Sequence, residues 1–241
     1  MAKILILQHG ASQTPGRLGM TLRDHGFSLD IRRLDTNPSD LPHDLDGVQA
    51  VVSLGGAANI ADRPAWLERE LELLAAAHDA KLPVIGVCLG HQLVAKALGG
   101  EVGPMETPEA GFVEVRLTPP GQTDRILSGQ RWNLPHFQSH GQQVITPPPG
   151  ATVLGVSDAC KVQIFRAGLR TYGFQYHFEM DRKAIDTVVT EQPLIFERAA
   201  VTPETVSKQC DEHYPAFARL ADRLCVNIAT LAFTFDELLK A

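Results

Sequence analysis

Positive charge is in short supply. Lysine and arginine total 22 against 28 aspartates and glutamates, a net charge of −6 at pH 7. No Lys/Arg cluster breaks this balance, which argues against a nucleic-acid surface. Long apolar runs are also missing. No stretch approaches a membrane span, and the opening Lys3-Ile-Leu-Ile-Leu7 is too short for a signal-peptide core. Cysteine is sparse. Cys88, Cys160, Cys210 and Cys225 form neither a Cys-x-x-Cys pair nor a zinc-finger spacing, so free thiols in a reducing cytoplasm are the simplest reading. There is no phosphate-cradling P-loop, and Gly55-Gly56 lacks the spacing of a dinucleotide fingerprint. No cofactor is expected.

What is present fits a globular α/β protein. Hydrophobic residues make up 44% and charged residues 21% of 241 residues, enough for one sizeable core and an appended element. Apolar runs predict strands at 3–7, 28–34, 50–54 and 83–87, interleaved with helices at 17–24, 64–80 and 91–98. That order predicts a doubly wound, mostly parallel sheet with flanking helices. Alternating apolar and charged residues at 112–117, then short strands near 152–156, 162–165 and 171–175, predict a small antiparallel β addition. Beyond Met180 the pattern turns helical, at 181–197, 203–212 and 216–231. The expected organisation is a domain over 1–181 and a C-terminal helical extension over 182–241. Phe217, Leu220, Leu224, Ile228 and Leu231 recur at helical spacing and demand burial, either on the domain or in a dimer or partner interface.

The chain is organised around Gly86-Val-Cys88-Leu-Gly90-His-Gln92. An apolar run ends at a thiol between two glycines, and an Ala/Leu-rich helix follows. Gly-x-nucleophile-x-Gly is the pattern of a nucleophile elbow. The glycines keep Cβ atoms out of a crowded turn, and a thiol at a helix N-terminus is stabilised as thiolate. A second segment, Tyr172-Gly-Phe-Gln-Tyr-His177-Phe-Glu179, places His177 and Glu179 two residues apart, on one face of an extended chain. A carboxylate there can fix the tautomer and direction of the ring. Nucleophile, base and orienting carboxylate make a triad.

These segments resemble the class I glutamine amidotransferase family, in the stand-alone form similar to the amidotransferase domain of GMP synthase. Gly86–Gln92 resembles its Gly-x-Cys-Leu-Gly-x-Gln elbow, and Gly173–Glu179 its Gly-x-Gln-Phe-His-Pro-Glu. Leu54-Gly55-Gly56 resembles its oxyanion strand, and Gln138-Ser-His-Gly141 the segment whose backbone holds glutamine. The resemblance implies that Cys88 attacks the side-chain amide to form a γ-glutamyl thioester and ammonia. His177 is the implied acid and base, oriented by Glu179. It further implies an oxyanion hole from the N–H groups of Gly56 and Leu89, with Gly55, Gln92, Ser139 and Gly141 binding substrate. Two family prolines are replaced here, by Ala57 after the oxyanion glycines and by Phe178 between His177 and Glu179.

Other residues read more plainly. His136 and His140 stand four apart in an extended segment with no third ligand, so no metal is expected. His91 is expected on a helix surface. His9, at the end of the first strand, either touches substrate or caps a loop. The expected activity is amide hydrolysis of glutamine or a γ-glutamyl compound, with ammonia passed to a separate synthetase, because 241 residues leave no room for an ATP-binding synthetase domain. Two alternatives stay open: a free-standing γ-glutamyl hydrolase and a catalytically idle binding module. Expected partners are the small-molecule substrate, a synthetase and a second copy of the chain, with neither nucleic acid nor membrane.

Overall fold

Ile4 and Ile6 point to one face of the first strand and Leu5 and Leu7 to the other, and all four are fully buried. A strand apolar on both faces needs cover on both, which is the condition for a parallel sheet between helical layers. The computed structural model describes residues 3–233, so the end of the expected extension, 234–241, lies outside the described residues. Chain order begins β1 (Lys3–Gln8), α1 (Gly16–Asp24), β2 (Ser28–Arg33), β3 (Val48–Ser53), α2 (Leu67–Asp79), β4 (Val84–Val87) and α3 (Leu89–Ala97). It continues with β5 (Glu101–Leu117), α4 (Pro119–Gln122), β6 (Asn133–Thr146), β7 (Thr152–Val156), β8 (Ile164–Ala167) and β9 (Thr171–Phe174). Three helices follow: α5 (Arg182–Glu191), α6 (Pro193–Arg198) and α7 (Pro203–Asn227).

The nine strands among the described residues join one sheet in the order β2-β1-β3-β4-β9-β8-β7-β5-β6. Strands β2, β1, β3, β4 and β9 run parallel; from β9 outward through β8, β7, β5 and β6 every pairing is antiparallel. The fold is therefore the expected α/β type, with the antiparallel strands continuing the same sheet. Strand β5 begins eleven residues before the alternating segment at 112–117. Pro104 and Pro108 interrupt its pattern in sequence, and its pairing with β6 shifts register between Pro104 and Glu109. Strand β6, carrying His136 to His140, supplies the antiparallel partner.

The helical extension differs in detail. Helix α5 is capped by the Asp181 carboxylate, which accepts from the Ala184 N–H at 2.7 Å. The expected helix over 181–197 is broken at Gln192, because Pro193 drives the preceding residue out of helical geometry. Conversely, 203–212 and 216–231 are not separate helices: α7 runs straight through Pro215. The proline removes one N–H donor, but the face carrying Cys210, Phe217, Leu220 and Leu224 stays buried across it. The Phe217 ring meets Phe112 of β5 at 5.5 Å and His136 of β6 at 6.0 Å, both edge-on. Helices α1, α5, α6 and α7 thus cover one face of the sheet, and α2 and α3 the other.

Candidate active site

Ligands in open α/β sheets bind beyond the carboxyl ends of the strands, and here β3, β4 and β9 deliver their loops to one place. Strand β4 enters α3 through Cys88, whose backbone sits at φ 51° and ψ −105°. For a residue with a Cβ this left-handed setting costs on the order of 1–3 kcal/mol. Neighbours hold it: the Cys88 N–H donates to the Phe174 carbonyl at 2.8 Å, and the Cys88 carbonyl accepts from the Gln92 N–H at 3.2 Å. Both flanking glycines are sterically required. A Cβ on Gly86 would collide with the Gly90 carbonyl, and one on Gly90 with the Ser53 carbonyl.

Beyond Phe174 the chain leaves the β9 ladder and bends, so His177 and Glu179 stand on a loop and not on the strand. The alternation survives because other elements hold the backbone. The Gln175 N–H donates to the Gln163 carbonyl at 2.8 Å and the His177 N–H to the Phe137 carbonyl at 3.0 Å. Phe174, Tyr176 and Phe178 enter the core, while His177 Nδ1 lies 2.7 Å from Glu179 Oε1. The Cys88 side chain lies close enough to the same ring to influence its charge. All three side chains are buried. Burial by itself pulls the imidazolium's pKa down. The charges of Glu179 and Cys88, with the hydrogen bond to Glu179, reverse this and push His177 up to about 10. Buried His91 and His136, which have no such carboxylate, are pushed down to about 3, with burial the leading cause.

A small open pocket adjoins Cys88. Its walls are Gly56 to Asn59 on one side, Leu89 and Gln92 on the helix, and Ser139 to Gln142 from β6. Gln92 Nε2 donates to the Gln142 carbonyl at 3.1 Å and to Gln175 Oε1 at 3.2 Å, tying elbow helix to β6. Ser139 and Gly141 line the pocket, but the Ser139 hydroxyl is turned outward, donating to Gln192 Oε1 at 2.9 Å. Gly55 lies behind the pocket lining, and a Cβ on it would sit 2.9 Å from His177 Cε1. Its place is against the histidine and the thiol.

One expectation needs correcting, and one open alternative narrows. His91 is not on a helix surface: it is fully buried, its ring 5.0 Å from Phe165 and packed on Gly173. Helix α3 is covered along Leu89 to Ala95 by the sheet, so a polar residue next to the elbow faces inward. His9 does not line the pocket either; it is buried against Glu70. His136 stacks on Tyr176 at 3.9 Å, whereas His140 Nε2 lies 3.1 Å from Glu109 Oε2, so the two point to different partners. Among the described residues no cluster of three or more His, Cys, Asp or Glu could hold a metal ion. No helix among them is long and apolar enough to cross a membrane.

The glutamine amidotransferase class-I profile matches residues 14–195. The chain belongs to that family. The matched region extends past residue 181 into the helical extension. Among amidotransferase relatives, a glutamine-hydrolyzing GMP synthase subunit from Sulfolobus acidocaldarius is 31% identical over 157 residues, covering 63% of this chain and 78% of that one. The glutamine-hydrolyzing GMP synthase of Porphyromonas gingivalis is 28% identical over 181 residues, 75% of this chain but 33% of the longer protein. A glutamine amidotransferase crystal structure from Methylobacillus flagellatus superposes with a TM-score of 0.83 at 27% identity, covering 94% of both chains.

Several residues near the site carried weak sequence signals. Glu70 sits among Leu67, Leu73 and Leu74 on the buried face of α2, and a lone charge on an apolar helical stripe was the available clue. Glu109 had none. It is buried beside His140, Ser157 and Gln163 only because β5 and β6 pair in this register.

Proposed function

We propose that this amidotransferase-family chain hydrolyses the side-chain amide of glutamine through Cys88 and supplies ammonia to a separate synthetase. The observation that carries the reading is Cys88, set at a strained strand-to-helix turn beside the pocket and next to a histidine whose Nδ1 lies 2.7 Å from Glu179 Oε1. His177 takes the thiol proton, and the sulfur adds to the amide carbon. The N–H groups of Gly56 and Leu89 receive the developing oxyanion. The carbon–nitrogen bond then breaks, His177 returns its proton to the leaving nitrogen, and ammonia departs. Water, deprotonated by the same ring, hydrolyses the thioester to glutamate and restores the thiol. Gln92, Ser139 and Gly141 line the space for the amino-acid end of the substrate. Similarity to a GMP synthase component that is itself called a subunit supports a synthetase partner. The rings packed between α7 and β5–β6 support an extension that packs on the domain. Four free, buried cysteines suit a reducing cytoplasm.

The test is ammonia release from glutamine and from γ-glutamyl peptides, native protein against Cys88→Ala. Glutamine turnover abolished by the substitution supports the reading. Preference for peptides would replace it with a free-standing γ-glutamyl hydrolase. No turnover of either, with Cys88 no more reactive than the other thiols, would leave a binding module.

A further inference from the structure

Beneath the oxyanion loop lies a second buried histidine–carboxylate pair. His9, just beyond β1, has Nε2 at 2.8 Å from Glu70 Oε2, and both side chains are wholly excluded from solvent. The other ring nitrogen, Nδ1, lies 3.1 Å from the Leu54 carbonyl. The second Glu70 oxygen accepts from the Ser53 hydroxyl at 2.7 Å, so the carboxylate already serves as acceptor on both oxygens. A carboxylate and a carbonyl accept, so both ring nitrogens face acceptors, an arrangement that favours the doubly protonated ring. Burial alone pulls the His9 pKa down, but Glu70 and the backbone of Gly55 and Leu54 raise it above the ordinary value.

The bond to Leu54 falls at a sensitive place. That carbonyl lies just past β3 and also accepts from the Gly90 N–H at 3.1 Å, two residues beyond Cys88. It is the point where oxyanion loop and elbow are fastened together. Two residues on, Gly56 is wedged between side chains: a Cβ there would lie 2.7 Å from His9 Cβ and 2.8 Å from Leu89 Cδ2. The Trp66 ring backs His9 at 4.6 Å between centroids. The histidine therefore pins the start of the loop with its ring and forms a floor under Gly56 with its Cβ.

We propose that His9, paired with Glu70, is a positioning residue that clamps Leu54 to Gly56 so that the Gly56 N–H faces the reacting carbonyl. This rests on the reading of Gly56 as an oxyanion donor. The clamp touches neither substrate nor the reacting atoms. It fixes in advance a donor that would otherwise have to be ordered during the reaction, and preorganised donors carry much of the rate in such sites.

Two substitutions separate its halves. His9→Asn keeps an N–H near the Nδ1 position and loses Glu70; His9→Gln keeps a donor for Glu70 and loses Leu54. Three quantities are read for each: amide hydrogen exchange of the 54–58 segment by mass spectrometry, glutaminase kcat and KM, and the rate of Cys88 alkylation by iodoacetamide, which needs no oxyanion hole. His9→Gln is expected to speed exchange of that segment about tenfold and to lower kcat about 100-fold, the scale of a lost oxyanion donor, with KM and alkylation unchanged. His9→Asn should recover much of both losses. Unchanged exchange at 54–58 in His9→Gln overturns the clamp, whatever the activity. Faster exchange with unchanged kcat keeps the clamp and overturns Gly56 as oxyanion donor. If neither variant folds, nitrogen-15 NMR of histidine-labelled native protein decides: a neutral His9 ring at pH 7.5 refutes the proposal and a doubly protonated ring upholds it.

Discussion

Replacing Glu179 by glutamine keeps the shape of the site and removes one charge. In the native chain Glu179 is 2% exposed and its Oε1 lies 2.7 Å from His177 Nδ1. Without the carboxylate, burial dominates the ring. His136, buried with no carboxylate partner, shows where that leads, since its pKa is pushed down to about 3. His177, now at about 10, should fall below neutrality and be uncharged at pH 7. With no cation beside it, the Cys88 sulfur loses the neighbour that favours its reactive form. Alkylation by iodoacetamide at pH 7 should therefore slow. Glutaminase kcat should fall further, by about 100- to 10,000-fold, since in the proposed mechanism the ring also delivers a proton to the leaving amine. Stability carries the same signature. A histidine whose folded pKa is raised stabilises the fold below its unfolded value of 6.5 and loses that contribution as pH climbs through about 10. The variant's deficit in thermal stability should accordingly be large near pH 6, shrink as pH rises from 6.5 and be lost by about pH 10. Native-like alkylation by Glu179→Gln at pH 7, measured by stopped-time mass spectrometry, would refute the electrostatic argument.

Three further outcomes follow from the same physics. Iodoacetamide at pH 7.5 should modify Cys88 well before the other thiols, because burial raises the pKa of Cys160 to about 12 and raises Cys210 and Cys225 as well; peptide masses report the order, and Cys88→Ala should abolish the fast phase. His136 resists protonation when folded, so the chain loses stability as pH falls from 6.5 toward 3, by about 2 kcal/mol at pH 5; His136→Phe, which keeps the stack on Tyr176 and forfeits no hydrogen bond at Nδ1, should lessen the difference in urea midpoint between pH 7 and pH 5. Phe217→Ala, at a fully buried ring contacting Phe112 and His136, should cost about 3–5 kcal/mol; a urea midpoint close to native would mean that α7 contributes little to the core.

Sequence alone determined whatever depends on neighbours a few positions apart. The elbow is such a feature, because Gly86, Cys88 and Gly90 must share one tight turn before a helix. The link between His177 and Glu179 is another: residues two apart are near enough to hydrogen-bond, and that holds even though the chain has left β9 by then. The alternation of strands and helices through Ala97 was equally local, since each strand declares itself by its own apolar run. Tertiary structure decided what depends on distant chain. Placing β4 between β3 and β9 brings Gly56, Cys88 and His177 together, and no spacing within one segment encodes that adjacency. Burial reversed the expected exposure of His91 and matched His9 with Glu70, 61 residues away. It also carried α7 through Pro215, where buried apolar faces on either side outweigh one missing donor. Local pattern fixes backbone geometry and side-chain direction; which charge is neutralised, and by whom, is settled only when long-range packing excludes water.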